Sequence, residues 1–222
     1  MKSSTFRNDI LRLIFNATGI ANIADNASAS PLTNLPVALH SAFPGLAGDQ
    51  TTNEIAYTGY GRVNVSRSTG WTVTGNSVSP AAAIPFGACT AGSATASFFS
   101  VGVNASGASK ILRMGVIGSR LGPCTAATSD TIQIPGLTGL AVNDRITFLA
   151  VDGSALPAGI TEGVVYFVLT VSGDAVTVST TQGGATLDIT ATGDALAYRV
   201  TPINISAGVT PQLTTATAIT EE

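Results

Sequence analysis

Charged residues, histidine and cysteine are scarce in this sequence, and each shortage narrows the classes of protein to which it can belong. The 222 residues include 10 basic and 13 acidic side chains and one histidine, which gives a net charge of −3. So small and dispersed a charge argues against nucleic-acid binding. The two cysteines, Cys89 and Cys124, form no CxxC pattern, so a zinc site has no support. They could form a disulfide, but two buried free thiols fit a protein assembled in the cytoplasm better.

Long apolar runs are also missing. The mean hydropathy is +0.38, yet no run approaches the roughly 18–20 apolar residues that a membrane-spanning helix requires. The apolar residues come in short stretches interrupted by Gly, Ser and Thr, which is typical of an all-β protein with many short strands. Lys2 is followed by polar residues and an amphipathic stretch, so no secretion signal is predicted.

The stretch from 54 to 71 is the expected centre of the fold. Gly59 precedes a tyrosine and allows the backbone to bend there at little steric cost. Polar and apolar residues then alternate with a period of two over 62–67, which predicts a half-buried strand. Three aromatic side chains are expected to form a cluster that seeds a sheet-on-sheet core: Tyr57, Tyr60 and Trp71.

One helix and several strands are predicted around that stretch. Residues 4–17 read as an amphipathic helix whose polar face carries Arg7, Asn8 and Arg12. Its apolar stripe is predicted to consist of five side chains: Phe6, Ile10, Leu13, Ile14 and Ala17. Strands are predicted at four places: 35–42, 77–84, 94–103 and 110–117, the last of which is expected to be central because it is nearly all apolar.

The spacing of predicted strands and turns changes after Cys124. Short strands are predicted at regular spacing, separated by Gly-, Asn- and Asp-rich turns: 131–134, 145–151, 164–171, 175–180, 185–190 and 195–200. The segment 202–220 then reads as more strand without a core of its own. We therefore expect an antiparallel, jelly-roll-like β-sandwich with one N-terminal helix, made of 1–124 and 200–222, with 125–199 inserted as a small β-barrel or meander.

The order of motifs in the first module resembles a family of small tailed-bacteriophage virion proteins labelled tail fibre proteins. The likeness covers roughly 4–122 and 200–220 and rests on the segments LPVALHSA (35–42), GYGRV (59–63), SFFSV (97–101) and ILRMG (111–115), together with ISAGV (205–209). The insert is absent from the usual members. It resembles small β modules of phage structural proteins through the segment NDRITF (143–148). The resemblance implies a structural component of a virion, on either the head or the tail.

Catalytic and metal-binding interpretations are weak. His40 is the only histidine, and its place in an alternating strand favours a structural or surface role over a catalytic one. Seven carboxylates of the insert, which could be read as acid–base pairs or calcium ligands, mostly fall at turns, where Asp bonds its own backbone: Asp130, Asp144, Asp152, Glu162, Asp174, Asp188 and Asp194. We therefore predict no enzymatic activity, no cofactor and no metal.

Docking to other proteins is the favoured role. Residues 1–124 have a net charge of +4 and residues 125–199 a net charge of −5, which suggests a basic docking face. The predicted docking residues are eight in number: Phe6, Arg7, Ile10, Arg12, Arg62, Arg67, Arg113 and Arg120. The first hypothesis is a capsid decoration (cement) protein, a homo-oligomer guessed to be a trimer, bound to the major capsid protein. The alternative is a tail-associated or tail fibre protein whose insert binds a host-surface glycan, which would require exposed aromatic side chains on the insert.

Overall fold

The computed structural model describes residues 4–19, 32–150 and 155–220 and divides the chain into two compact units. The base unit comprises Met1–Gly115 and Ile203–Glu222, and the barrel unit comprises Val116–Pro202. The barrel unit begins nine residues before the boundary predicted at 125 and ends three residues after the one predicted at 199. The predicted fold class is confirmed, because the structure consists of antiparallel sheets, a closed barrel and one N-terminal helix.

The described elements are one helix and seventeen strands. The helix is α1 (Ser4–Phe15). The strands up to the barrel unit are β1 (Asn34–His40), β2 (Val63–Ser66), β3 (Trp71–Thr74), β4 (Ser77–Pro80), β5 (Ile84–Pro85), β6 (Ser93–Ala96), β7 (Phe98–Gly102) and β8 (Ile111–Val116). The remaining strands are β9 (Gly118–Ala127), β10 (Thr131–Gln133), β11 (Arg145–Leu149), β12 (Val165–Ser172), β13 (Ala175–Ser179), β14 (Gly193–Val200), β15 (Ile203–Ser206), β16 (Gln212–Leu213) and β17 (Ile219–Thr220).

The core of the base unit lies between a four-stranded sheet, in the order β2-β1-β7-β8, and a three-stranded sheet, in the order β17-β4-β3. Val37 and Phe99 from the first sheet line the same interior space as Trp71 and Val78 from the second. The C-terminal segment closes this core, because β15, β16 and β17 pair in turn with β6, β5 and β4. Segment 203–220 thus obtains its core from the rest of the base unit, as the sequence predicts.

Strand β1 does not show the alternation in burial that its sequence pattern predicts. It pairs with β2 on one side and β7 on the other, and Leu35 to His40 are all buried. Strand β8 differs in the opposite sense. It was expected to be central, but it is the last strand of its sheet and all six residues are half-buried. An apolar run indicates burial without indicating how many neighbours a strand has, which explains both errors.

Helix α1 is present as predicted, but it packs through a different stripe. Leu11 and Phe15, one turn apart, are fully buried, whereas Ile10 and Leu13 are only half-buried. The ring of Phe15 meets the edge of the Trp71 ring at 4.8 Å between centroids. The helix also ends two residues before the predicted end, because Ala17 takes a left-handed conformation with φ of 55°.

The arginine of the β2–β3 turn holds the end of α1. The guanidinium of Arg67 donates to the carbonyl oxygens of Leu13 and Ile14 in the last turn of the helix, and to that of Leu32. The last carbonyls of a helix generally have no donor within it, and those of Leu13 and Ile14 lie at the negative end of the helix dipole. The side chain of Asn16 adds a bond of 2.9 Å to the Trp71 carbonyl oxygen. The helix is therefore attached to the sheet by polar contacts at one end and by apolar contacts along its length.

The barrel unit is a closed six-stranded barrel in the order β10-β13-β12-β11-β14-β9. Sequence reasoning missed β9, which pairs with β14 along its whole length and brings Gly118 opposite Val200. Segment 185–190 was predicted as a strand and is not one. Its backbone donors bond to three separate places, namely the carbonyls of Val178 and Ala158 and the carboxylate of Asp130. It therefore does not join the ladder of the barrel.

Apolar side chains fill the barrel. Phe148 and Tyr166 lie at its centre and are at most 2% exposed. The hydroxyl of Tyr166 accepts a bond of 2.9 Å from the Thr161 amide, so its one polar atom is satisfied. The cysteines of the two units, Cys89 and Cys124, are both buried and free, which confirms the preference for thiols over a disulfide. Within the described part of the chain, no helix is long and apolar enough to cross a membrane.

The two units should fold independently. The amide of Thr201 bonds to the Ile117 carbonyl at 2.8 Å, so the chain enters and leaves the barrel at neighbouring points. We predict that replacing residues 118–200 with a short Gly-Ser link leaves a base unit that unfolds cooperatively, because its core draws on residues outside the deletion. Urea unfolding followed by the fluorescence of Trp71, the only tryptophan, measures this directly. Gradual unfolding without a sigmoidal transition would contradict the prediction.

Candidate functional site

A histidine and a serine meet inside the base unit. The Nε2 atom of His40 lies 2.7 Å from the hydroxyl oxygen of Ser100, on the neighbouring strand β7. The Nδ1 atom of His40 lies 2.9 Å from the Thr52 carbonyl oxygen. A carbonyl can only accept, so Nδ1 carries the proton and Nε2 accepts from the Ser100 hydroxyl. This arrangement fixes the tautomer of a neutral imidazole.

Gln50 extends this pair towards the surface loops. Its side-chain amide donates to the Ser100 hydroxyl at 3.1 Å and to the Pro36 carbonyl oxygen at 3.2 Å. Its backbone amide bonds to the Ser109 carbonyl at 3.0 Å. His40, Gln50 and Ser100 are all 0% exposed. A single glutamine therefore ties loop 41–53 both to the central strands and to loop 104–109.

An ion pair completes the cluster. Arg62 donates from Nε and Nη2 to the two carboxylate oxygens of Glu54, each at 2.8 Å, which is the strong bidentate geometry. The arginine side chain is 3% exposed and the glutamate side chain 17%. The hydroxyl of Tyr60 donates to Glu54 at 3.0 Å and accepts from the Leu39 amide at 3.1 Å. We refer to the six residues as the polar network: His40, Gln50, Glu54, Tyr60, Arg62 and Ser100.

Burial sets the ionisation of this network. Desolvation lowers the pKa of His40; the carbonyl of Thr52 and the charge of Glu54 oppose that shift, and the charge of Arg62 adds to it. Desolvation also raises the pKa of Tyr60. The hydrogen bonds to Glu54 raise the pKa of Arg62. At neutral pH the network therefore holds one internal charge pair and a neutral histidine.

The Ser100–His40 contact has the distance of an activated nucleophile, but not its setting. A catalytic pair needs access to a substrate and a group that orients the base. Here both residues are fully buried, and Nδ1 is held by a backbone carbonyl instead of a carboxylate. The nearby carboxylate of Glu54 is bound to Arg62. In this conformation the pair positions the loop and does not reach solvent.

Carboxylates of the barrel unit bond to backbone amides, but only one of these bonds is local, as the sequence predicts for a turn. Asp144 accepts from the nearby Ala141 amide, whereas Asp130 and Asp174 accept from amides 59 and 37 residues away. The carboxylate of Asp174 accepts from the amides of Gly136 and Leu137, and that of Asp144 accepts from Ala141 and from Arg199. Asp130 and Glu162 also accept from backbone amides, whereas Asp152 lies outside the described residues. Among the residues that the structure describes, no group of three or more His, Cys, Asp or Glu side chains could hold a metal ion.

The predicted aromatic cluster of Tyr57, Tyr60 and Trp71 does not form as one group. Tyr57 and Tyr60 meet edge to face at 5.4 Å between ring centroids, and Tyr60 stacks on Phe86 at 6.2 Å. Trp71 packs instead against Phe15. The bend at Gly59 is real, with φ of 105°. The correction follows from α1, which covers the tryptophan with a ring that lies 56 residues earlier in the chain.

The predicted docking residues separate into four groups. Arg62 and Arg67 are committed inside the fold, to Glu54 and to the end of α1, so their assignment to a docking face is corrected. Ile10 and Arg113 are half-buried, while Arg12 and Arg120 are exposed. The side chains of Phe6 and Arg7 lie outside the described residues. Because Arg120 belongs to the barrel unit, and Glu221 and Glu222 belong to the base unit, the base unit has a net charge of only +1 and the barrel unit −4.

Sequence reasoning missed Gln50 and Ser100. Ser100 sits in the apolar run of β7, and a polar residue in a buried strand is the one available signal of a partner. Gln50 lies in a segment that reads as an ordinary polar loop. Comparisons of the chain with protein-family models, with curated proteins and with solved structures found no match.

The ion pair is expected to carry a large share of the stability of the base unit. Replacing Glu54 with Gln (E54Q) leaves the arginine charge buried without a counter-charge. Breaking such a pair costs about 3 kcal/mol, and we predict a loss of that order in urea unfolding followed by Trp71 fluorescence. The matched control is R199Q, which removes the more exposed Arg199–Asp144 pair, whose side chains are 39% and 21% exposed. By circular dichroism that control should cost less than about 1 kcal/mol. Equal losses for the two variants would contradict the prediction.

Stability should also depend on pH through His40. Its folded pKa lies below the ordinary value of about 6.5, so below that pH the unfolded chain binds the extra proton more readily. We predict that the free energy of unfolding of the base unit is level above pH 6.5. It should fall on acidification towards pH 5.5, by at most about 1.4 kcal/mol per pH unit.

The control for this prediction is H40Q, which has no titrating group at the position. Its stability should be lower but nearly constant between pH 5.5 and 7.5. The same slope in the variant and in the parent chain would show that another group is responsible.

Proposed function

We propose that the chain is a structural virion protein of a tailed bacteriophage that decorates the assembled head and stabilises it by binding the major capsid protein. The observation that carries the proposal is the use of charged side chains. They make up 10% of the sequence, and several of them are bonded to other parts of the same chain. Arg62 with Glu54, Arg67 at the end of α1 and Arg199 with Asp144 are all engaged within the chain.

A surface with so few charges suits an assembly better than a free monomer. Soluble domains are kept dispersed by a surface in which roughly 25–35% of residues are charged. Interfaces between proteins are instead depleted in charged side chains at their centres. Exposed positions here are largely Ser, Thr, Ala and Gly, as in loop 104–108 of the base unit. The resemblance of the first module to small phage virion proteins supports the same interpretation.

Decoration would act by mass action. A protein that binds only the assembled shell stabilises it in proportion to the logarithm of its concentration relative to its dissociation constant. The interface of each bound copy adds to the contacts that hold neighbouring capsid subunits together against internal pressure. A homotrimer at local threefold positions would match the symmetry of such a shell. In this proposal the protein has no enzymatic role, cofactor or nucleic-acid partner.

The alternative, a fibre protein whose barrel unit binds a glycan, receives less support from the aromatic residues. Stacking on a sugar requires an accessible ring face. Phe148 and Tyr166 are buried in the barrel core. Phe167 is half-buried, and the guanidinium of Arg145 lies 5.6 Å from the centroid of its ring. Tyr198 is half-buried as well. We therefore place the head ahead of the tail.

Counting copies in purified phage particles tests the proposal. We expect quantitative mass spectrometry to find hundreds of copies per particle, and gold-labelled antibody to mark the head. The major capsid protein provides the internal reference for the count. A few copies confined to the tail would favour the fibre alternative, and absence from the particle would overturn a virion role altogether.

A further inference from the structure

The buried histidine and serine of the polar network have a side-chain amide within reach. The Nε2 atom of Gln50 lies 3.1 Å from the hydroxyl oxygen of Ser100, and the carbonyl carbon Cδ is one bond further along. Because an amide C–N bond is about 1.33 Å long, Cδ is at most roughly 4.4 Å from that oxygen. His40, Gln50 and Ser100 are all 0% exposed. The group on which a serine activated by histidine could act is therefore present within the chain itself.

The contacts of Gln50 define which end of its amide is the oxygen. Nε2 donates to the Pro36 carbonyl oxygen at 3.2 Å, and the carbonyl oxygen Oε1 lies 3.5 Å from Nη1 of Arg62. The opposite assignment would direct an oxygen at a carbonyl and an NH2 group at a guanidinium, and neither contact could be a hydrogen bond. Arg62 thus places a positive charge beside Oε1, where negative charge develops when a nucleophile attacks Cδ.

Gly102 leaves the space that this amide occupies. It lies in β7, two residues after Ser100. A Cβ atom at position 102 would collide with both Oε1 and Cδ of Gln50. The backbone of Gly102 is not left-handed, so the glycine is required here by the space and not by its conformation. One strand therefore carries the serine and also the gap that seats the amide beside it.

We propose that Ser100 and Gln50 become joined by an intramolecular ester bond, formed once per chain with release of ammonia. Neutral His40 accepts the hydroxyl proton at Nε2 while Oγ of Ser100 attacks Cδ of Gln50. The tetrahedral intermediate then breaks its Cδ–Nε2 bond, and the proton passes from His40 to the departing nitrogen. One O–H and one C–N bond break, one C–O and one N–H bond form, and no oxidant or cofactor is needed.

Burial favours both the formation and the survival of this ester. Desolvation lowers the pKa of His40, which keeps the imidazole neutral and able to accept a proton. A site closed to solvent also excludes the water that would hydrolyse the product. The bond would join loop 41–53 covalently to β7, between two residues that are 50 positions apart. This inference goes beyond the proposed virion function and does not depend on it.

Mass spectrometry of the isolated full chain tests the proposal. After overnight incubation at neutral pH and denaturation, we expect its mass to be lower than the sequence mass by one ammonia molecule. Trypsin cleaves after Lys and Arg, so Gln50 and Ser100 belong to separate peptides, 13–62 and 68–110. We expect these peptides to be recovered as one joined species. Mild alkali, which hydrolyses esters and spares amides, should separate them.

Two variants assign the reacting groups. S100A removes the nucleophile and H40Q removes the base, so both should keep the full sequence mass and give separate peptides. The matched control is S97A, which alters another buried serine, 6% exposed, just before β7. It should be joined to the same extent as the parent chain. The masses of the parent chain are decisive even where a variant fails to fold.

Three results would overturn the inference. One is recovery of the two peptides of the parent chain as separate species at full mass. Another is loss of ammonia with the peptides still separate, because an asparagine that cyclises loses the same mass. The third is a joined species in S100A. Because these measurements use the isolated chain, each of these results would leave the virion function standing.

Discussion

The ion pair between Arg62 and Glu54 is the interaction on which the base unit depends. An arginine with 3% side-chain exposure is tolerable only because a carboxylate meets it with two bonds of 2.8 Å. Glu54 in turn holds Tyr60, whose hydroxyl fixes the amide of Leu39 in the central strand. One charge pair therefore links the bend at Gly59, the start of β2 and the central strand β1. Removing either partner would leave several buried polar groups unsatisfied at once.

Other arginines are also bonded within the chain. Arg67 completes the end of α1, and Arg199 is paired with Asp144 at a turn of the barrel. Arg67 and Arg199 each bond to a residue more than 50 positions away in the sequence. These two charged side chains therefore hold distant segments of the chain together. The consequence appears at the surface, where loops such as 104–108 carry small uncharged residues. The low charge content of the sequence therefore leaves uncharged surface loops once the arginines are bonded within the chain.

Local sequence patterns predicted the helix and most strands, but they did not predict which residues of these elements pack against the rest of the fold. The helix over 4–15 and most barrel strands follow from periodicity and turn residues, since these signals lie within a few residues of each other. The buried stripe of α1 did not follow, because Leu11 and Phe15 are selected by the sheet beneath the helix. Nor did the polar network, in which Ser100 meets His40 across 60 residues. A single sequence contains no signal for such a pairing beyond a polar residue in an apolar strand.

The two units reach stability by different routes. The barrel has closed on itself, leaves no open sheet edge among its strands and fills its centre with apolar side chains, and none of its described charged side chains is buried. The base unit is assembled from four open sheets and buries a histidine and an ion pair to hold its loops. A closed barrel with its ends side by side can be added to a chain with little disturbance to either part. The loops of the base unit are not independent of its core in this way, because the polar network bonds to both.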